Sequence, residues 1–260
     1  MKKYLTMFSS HLKSALVYRA DAWLTAAFSL FTVLAFYFLW SLLIPDGGTL
    51  HGFTLPEMMT YTLLCQMFAP VAQSSEAMWV FSDEIRSGKF SKYMYTPVSP
   101  LGAFTACSLG KTLPQAASTV VCCLVWGLLL GGIMSPVSVT GILTALPVLL
   151  VSLAFIVLLN YLLSCLAFRF TDLTGVILIR GTLISFFSGA LAPLEVLFGS
   201  SPTWSPLYYL ADYPAMCIMG KAPVPPLTAV LVIGGYTLAL ALISGKISSS
   251  SRRLYEGVGA

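Results

Sequence analysis

The sequence predicts an all-α membrane protein, and three observations carry that prediction. Of its 260 residues 57% are hydrophobic and 9% are charged, against about 25% charged in ordinary soluble domains. Mean hydropathy is +0.86. Six stretches approach the length of about 20 apolar residues that a helix needs to cross roughly 30 Å of hydrocarbon. A membrane β-barrel would instead alternate polar and apolar residues over about ten positions, and no such alternation recurs. The chain reads as one transmembrane unit over residues 1–260.

The first 20 residues form an amphipathic helix. Tyr4, Leu5, Phe8, Leu12, Ala15 and Leu16 share one arc, opposite Lys2, Lys3, Ser9, Ser10, Lys13 and Ser14. Such a helix lies on a membrane surface, and a solvated basic tail is the other reading. His11, Lys13, Arg19 and Asp21 interrupt any secretory core. Span 1 runs from Ala22 to Ile44 and stops at the turn Pro45-Asp46-Gly47-Gly48. Span 2 begins near Glu57 and is strongly apolar only to Ala72, after which Gln73, Ser74, Ser75 and Glu76 make its far half wetter.

Residues 82–104 then bring charges of both signs together in Asp83-Glu84-Ile85-Arg86-Ser87-Gly88-Lys89-Phe90, ending in Thr96-Pro97-Val98-Ser99-Pro100. A chain that otherwise avoids charge exposes this stretch to water or to a soluble partner. Span 3 lies near Leu113–Ile133, span 4 near Gly141–Phe168 with Asn160 inside it, span 5 from about Leu173 to Leu191, and span 6 from about Leu227 to Ile243. Between the last two, residues 192–226 hold seven prolines among aromatic and apolar residues. Proline limits helix length, and apolar content disfavours free solution. Short helices dipping into the outer leaflet satisfy both demands when protein covers their broken backbone; an ordinary surface loop is the alternative.

Six crossings put both termini on one side. That side receives 13 of the 14 Lys and Arg residues, leaving Lys221 opposite, so the termini and residues 82–104 are expected in the cytoplasm. The net charge of +4 reflects this orientation, and no nucleic-acid motif accompanies it.

Catalytic material is sparse. His11 and His51 share no metal-ligand spacing, and the six cysteines form no CxxC pair. Gly110-Lys111-Thr112 ends like a phosphate-binding loop, but the first glycine of that pattern is Thr105 and no strand precedes it. No catalytic, cofactor-binding or metal site is expected. Ionisable groups inside a membrane mark function by default, which singles out Glu76 and Arg180, with Asn160 as a further intramembrane polar residue. Snorkelling or pairing near the interface accounts for the charged two equally well.

Taken together, the charged run after span 2, the stretch Ser188-Gly189-Ala190-Leu191-Ala192-Pro193-Leu194-Glu195 and the dipping segment resemble the membrane subunits of type 2 ABC exporters. Within that group the chain looks like the viologen-exporter-like permeases. An acidic residue, a basic residue, Ser-Gly, a variable stretch, then Thr-Pro and Val-Ser repeat the family pattern; Lys89 departs from the small residue or Thr common after the glycine.

The resemblance implies that Asp83, Glu84, Arg86, Gly88 and Lys89 belong to a coupling helix docking on a separate ABC ATPase, which binds ATP and Mg. It also implies a second permease, identical or paralogous, a bacterial cytoplasmic membrane, and a re-entrant segment marked by Gly189, Pro193 and Glu195. The expected function is export of an amphipathic or hydrophobic substrate. An ATP-independent secondary transporter or channel would show inverted repeats or a chain of membrane carboxylates, and a lipid-modifying enzyme would show clustered Asp or His. Neither pattern is visible.

Overall fold

A computed structural model describes residues 2–17, 19–44, 48–170 and 172–254. Pro45, Asp46 and Gly47 of the expected turn lie outside the described residues, as do the side chains of Arg19, Asp21, Ala22 and Trp23 at the expected start of span 1. Among the described residues the chain is helical, with an isolated bridge between Leu50 and Phe53 in place of any strand.

Helices α1 (Lys2–Val17), α2 (Arg19–Leu43), α3 (Leu55–Gln73), α4 (Glu76–Arg86), α5 (Lys92–Tyr95), α6 (Pro100–Leu129), α7 (Val139–Ser164), α8 (Thr174–Phe187), α9 (Leu194–Phe198), α10 (Asp212–Ile218) and α11 (Pro226–Leu254) follow in order. Among the described residues, three helices are by themselves long and apolar enough to cross a membrane: Pro100–Leu129, Val139–Phe168, in which a 3-10 turn extends α7, and Pro226–Ile247. Shorter apolar helical stretches run over Phe31–Leu43 and Thr174–Phe187.

Local sequence explains the boundaries. Thr54 and Glu57 form a capping box at the start of α3, where the Thr54 N–H donates to the Glu57 carboxylate at 2.9 Å. Ser99 caps α6 by accepting from the Gly102 N–H at 3.1 Å, and Pro100 occupies the first turn, where its missing N–H costs nothing. The wetter half of the expected span 2 is a break: α3 stops at Gln73, Ser74 leaves helical geometry, and α4 begins at Glu76. The Ser74 hydroxyl donates to the Val71 carbonyl at 3.1 Å, competing with the backbone ladder as serine does.

The amphipathic α1 lies along the first half of α6, over a row of small residues, Gly102, Ala106 and Gly110. A β-carbon at Gly110 would sit 2.7 Å from that of His11, so only a small residue admits this approach. Tyr4 fastens one end, accepting from the Ser99 N–H at 3.0 Å. Leu5 remains 64% exposed, so part of the apolar arc still faces outward.

Two apolar clusters organise the rest. One joins α2, α3, α7, α10 and α11. The other surrounds Phe81 of α4 with Phe90, Tyr93, Phe104 and Tyr161, ring centroids 5.5 to 6.2 Å apart. Edge-to-face pairs at such separations add about 0.5–1.5 kcal/mol beyond their area. Between α8 and α11, the stretch from Tyr208 to Ile218 is buried, and α10 packs against α7.

Candidate functional site

The charged run folds into a compact corner. Helix α4 closes with the Ser87 N–H donating to the Asp83 carbonyl at 2.8 Å, and Gly88 follows at φ 76°, a left-handed conformation that suits glycine. A 3-10 turn, Lys89–Ser91, and α5 then fold back. Phe81, Ile85, Phe90 and Tyr93 point into the aromatic cluster, while Asp83, Arg86, Lys89 and Tyr95 face outward, Tyr95 being 86% exposed.

Glu84 behaves differently from its neighbours. Its carboxylate accepts from Lys92, and from the Tyr93 hydroxyl at 2.9 Å, so it braces the corner from within. Burial beside that carboxylate pushes the Tyr93 phenol well above its usual range. His11 lines a small cavity with Glu84, Lys92 and Tyr93. Burial, reinforced by Lys111, lowers its imidazole below the ordinary value. Asp83 and Arg86 approach to 3.9 Å on the exposed face.

Two of the three polar residues singled out in apolar stretches meet at the break between α3 and α4. A helix end leaves its last carbonyls without partners, and at the end of α3 side chains from other helices take them up. Arg180 of α8 donates to the carbonyls of Ala72 at 2.9 Å and Gln73 at 3.1 Å; Asn160 of α7 donates to that of Ser74 at 2.7 Å. Gln73 returns a bond to the Ser185 hydroxyl at 2.6 Å. Arg180 is 5% exposed and does not snorkel. Glu76 lies on another side of the break, 3.1 Å from Lys111 of α6, beside a polar cleft of ≈ 190 Å³ that also includes Gln73, Ser74 and Gln115.

At the other end of α8, Gly189 adopts φ 78° and its carbonyl accepts from the Tyr61 hydroxyl at 2.7 Å. Pro193 is buried directly before α9, and Glu195 stands half-buried in its first turn. Neither reaches the Arg180 cluster. Lys221 bonds Glu57 at 2.8 Å and the Gly52 carbonyl at 3.1 Å, tying the start of α3 to the segment before α11.

Sequence reading missed three participants: Gln73 as a bridge to α8, Lys111 as the partner of Glu76, and Asp212. Asp212 had a signal available, being a carboxylate set inside the apolar and aromatic stretch Ser205–Ile218. Its side chain is 1% exposed. The phosphate-loop look-alike, Thr105–Thr112, is continuous α6 helix. Cys65, Cys107, Cys123 and Cys217 are buried and free, and among the described residues no group of three potential metal ligands occurs.

No curated protein and no solved structure matches the chain. The sequence profile of a family described as ABC-2 family transporter protein matches residues 30–259. That match covers α3 to α11 and most of α2, including the charged corner, the interrupted second span and the buried stretch before α11; the chain belongs to the ABC-2 transporter family and is a membrane permease of that type.

Proposed function

We propose that this permease is the membrane subunit of an ATP-driven exporter, and that the corner formed by α4, Gly88 and α5 is where a separate ATPase takes hold. The observation that carries this reading is the two-sidedness of the corner. Its inner face is an aromatic core continuous with α6 and α7, and its outer face presents Asp83, Arg86, Lys89 and Tyr95. Mixed exposed charge suits recognition of a complementary soluble surface, and the rigid inner face would transmit force into the helices. Glu84 would preshape the corner rather than touch the partner.

The chain crosses the membrane six times in this reading, with α1, the corner and both termini in the cytoplasm and residues 192–226 re-entrant on the outer side. The even crossing number and the distribution of Lys and Arg support it. A second permease, identical or paralogous, packs against the exposed apolar faces of α2 and α8, where Phe28, Phe31, Phe38, Leu178 and Ile179 are each more than half exposed. ATP and Mg bind the ATPase; its closure moves the corner, and the permease pair passes from inward-open to outward-open. ATP drives the change by binding one of the two states better.

The cargo is amphipathic or hydrophobic. Supporting this are the aromatic residues of α2 and α8 and an apolar groove of ≈ 790 Å³ between α3, α6 and α7. Within the family, the run from Asp83 to Pro100 favours a viologen-exporter-like permease in a bacterial cytoplasmic membrane.

Reversing both outer charges, Asp83→Lys with Arg86→Glu, tests the assignment. The variant should fold normally yet lose at least about tenfold in affinity for the ATPase, a change of about 1.4 kcal/mol, read by co-purification and by substrate-stimulated ATP hydrolysis in liposomes. Full coupling in that variant would reject the corner as the docking site.

A further inference from the structure

The external segment contains a carboxylate that the transport reading does not use. Asp212 opens α10 and is almost completely buried at 1% exposure. One carboxyl oxygen, Oδ2, accepts from the Leu194 N–H at 2.7 Å, and the other, Oδ1, has no partner. The backbone around it is tied down: the Asp212 N–H donates to the Ser188 carbonyl at 2.9 Å. Ser188, likewise buried, leaves its own hydroxyl oxygen unpaired.

The groups that face Asp212 are Tyr61 and Cys65 of α3, Tyr208 of the turn before α10, and Glu195 of α9. None of them is a cation. A buried carboxylate without a positive partner is strongly disfavoured in its charged form. Burial pushes the Asp212 carboxyl up to about 7, opposed in part by the Leu194 N–H. This group lies between the fifth and sixth spans, outside either of them.

Hydrogen-bond accounting points the same way. The Tyr61 hydroxyl donates to the Gly189 carbonyl at 2.7 Å, beside the Asp212 carboxyl. Tyr61 has one hydrogen to give, and the Gly189 carbonyl can only accept. With that hydrogen committed to Gly189, an ionised Asp212 gains no donor from Tyr61. A protonated Asp212 needs an acceptor for its O–H instead, and the Tyr61 oxygen, which keeps a free lone pair, is the neighbouring candidate. The neutral acid is therefore the form that suits this meeting of α3, the end of α8 and α10. Gly189 is necessary to this geometry: a β-carbon there would lie 2.5 Å from the Tyr61 oxygen and 2.7 Å from Asp212 Oδ2.

We propose that Asp212 is a proton-binding site in the external segment: its carboxylate takes up one proton from the outer aqueous phase as the segment closes around it, and returns that proton when the segment opens. The ligand is the proton itself. The balance is a carboxylate plus a proton giving a carboxylic acid, with Tyr61 keeping its own hydrogen throughout. Opening that hydrates Asp212 restores an ordinary carboxylate, so the closed and open arrangements differ in protons bound near neutral pH.

The site rests on this geometry and not on the ATP-driven reading, so the permease alone, full length and in lipid nanodiscs, is the material for the test. Infrared difference spectra are recorded from about pH 5 to about pH 9, a range that covers a carboxyl raised by burial, with aspartate selectively ¹³C-labelled. The expected result is a protonated aspartic acid band that disappears within about one pH unit of 7, a range set by the raised carboxyl, and is missing from Asp212→Asn. Should that variant misfold, Asp212→Glu in the same aspartate-labelled protein keeps a carboxyl at this position without the label and should also lack the labelled band; Asp83 and Asp172 are exposed, and ordinary carboxyls ionise near pH 4. Absence of any aspartic acid band above about pH 5.5, persistence of the band in Asp212→Asn, or its removal by sodium at constant pH would each overturn the proposal, the last by assigning the site to a metal cation.

Discussion

Arg180 shows how a membrane protein retains a charged side chain by giving it backbone work. In the proposed six-crossing arrangement the carbonyls left open where α3 ends would meet no water, and each unsatisfied group in hydrocarbon costs several kcal/mol. The guanidinium fork supplies two of the missing donors at once, which a single neutral amide would do less well. Replacing Arg180 by Met should therefore destabilise the protein by roughly 2 kcal/mol or more, since hydrogen bonds from charged groups contribute about 1.5–3 kcal/mol each. Arg180→Lys should recover part of the loss. Thermal unfolding of the purified variants measures both, and an unchanged midpoint for Arg180→Met would show that the carbonyls find other donors. The sequence marked Arg180 and Asn160 as unusual because polar groups inside apolar spans are conspicuous. It did not reveal their shared target, because backbone carbonyls become available only where a helix stops, and no residue type announces that.

Among the elements, α1 and the buried stretch from Tyr208 to Ile218 depend most on distant parts of the chain. The amphipathic pattern of α1 was legible from spacing, but its seat on α6 was not: Gly102, Ala106 and Gly110 read as ordinary small residues until a second helix lies against them. Gly110→Leu should lift α1 from α6, at a cost of about 1–3 kcal/mol for overpacking, and let the helix unwind enough for trypsin to cut after Lys13, whose side chain is exposed already, in the otherwise folded protein. Equal cleavage of wild type and variant would show that α1 is not held by that contact. The stretch around α10 should respond to pH through Asp212. Its carboxyl is raised in the folded state from 3.8 to about 7, so between those values the folded form binds more protons than the unfolded one, and stability falls as pH rises. Hydrogen exchange over residues 188–218, corrected for the intrinsic pH dependence, should accordingly quicken as pH rises from about 4 towards about 7 and level off above that, where folded and unfolded forms are both ionised. Asp212→Asn should flatten that response. Proline and aromatic content foretold short, covered helices here; the pairing of Asp212 with Tyr61 and Gly189 was hidden by their distance along the chain.

At the scale of the whole molecule, composition and the length of the apolar stretches were enough to predict an α-helical membrane protein, and the family match agrees. The polar interval Gln73-Ser74-Ser75-Glu76 was visible as a weakness in the second span, yet hydropathy has no means of telling a wet helix from two helices. That difference matters, because no continuous ladder of backbone hydrogen bonds joins α3 to α4. A lever needs a fulcrum, and Ser74-Ser75 supplies one: α4 with its 11 residues is about 16 Å long, so a tilt of about 10° carries its far end nearly 3 Å by simple trigonometry on that length. The upper half of the span, pinned by Arg180, Asn160 and Gln73, would stay still while the lower half swings with whatever grips it. If the proposed ATPase pulls on the corner, its force would be delivered sideways, to α6 and α7 through the aromatic cluster, before any of it reached the part of the bundle beyond Ser74.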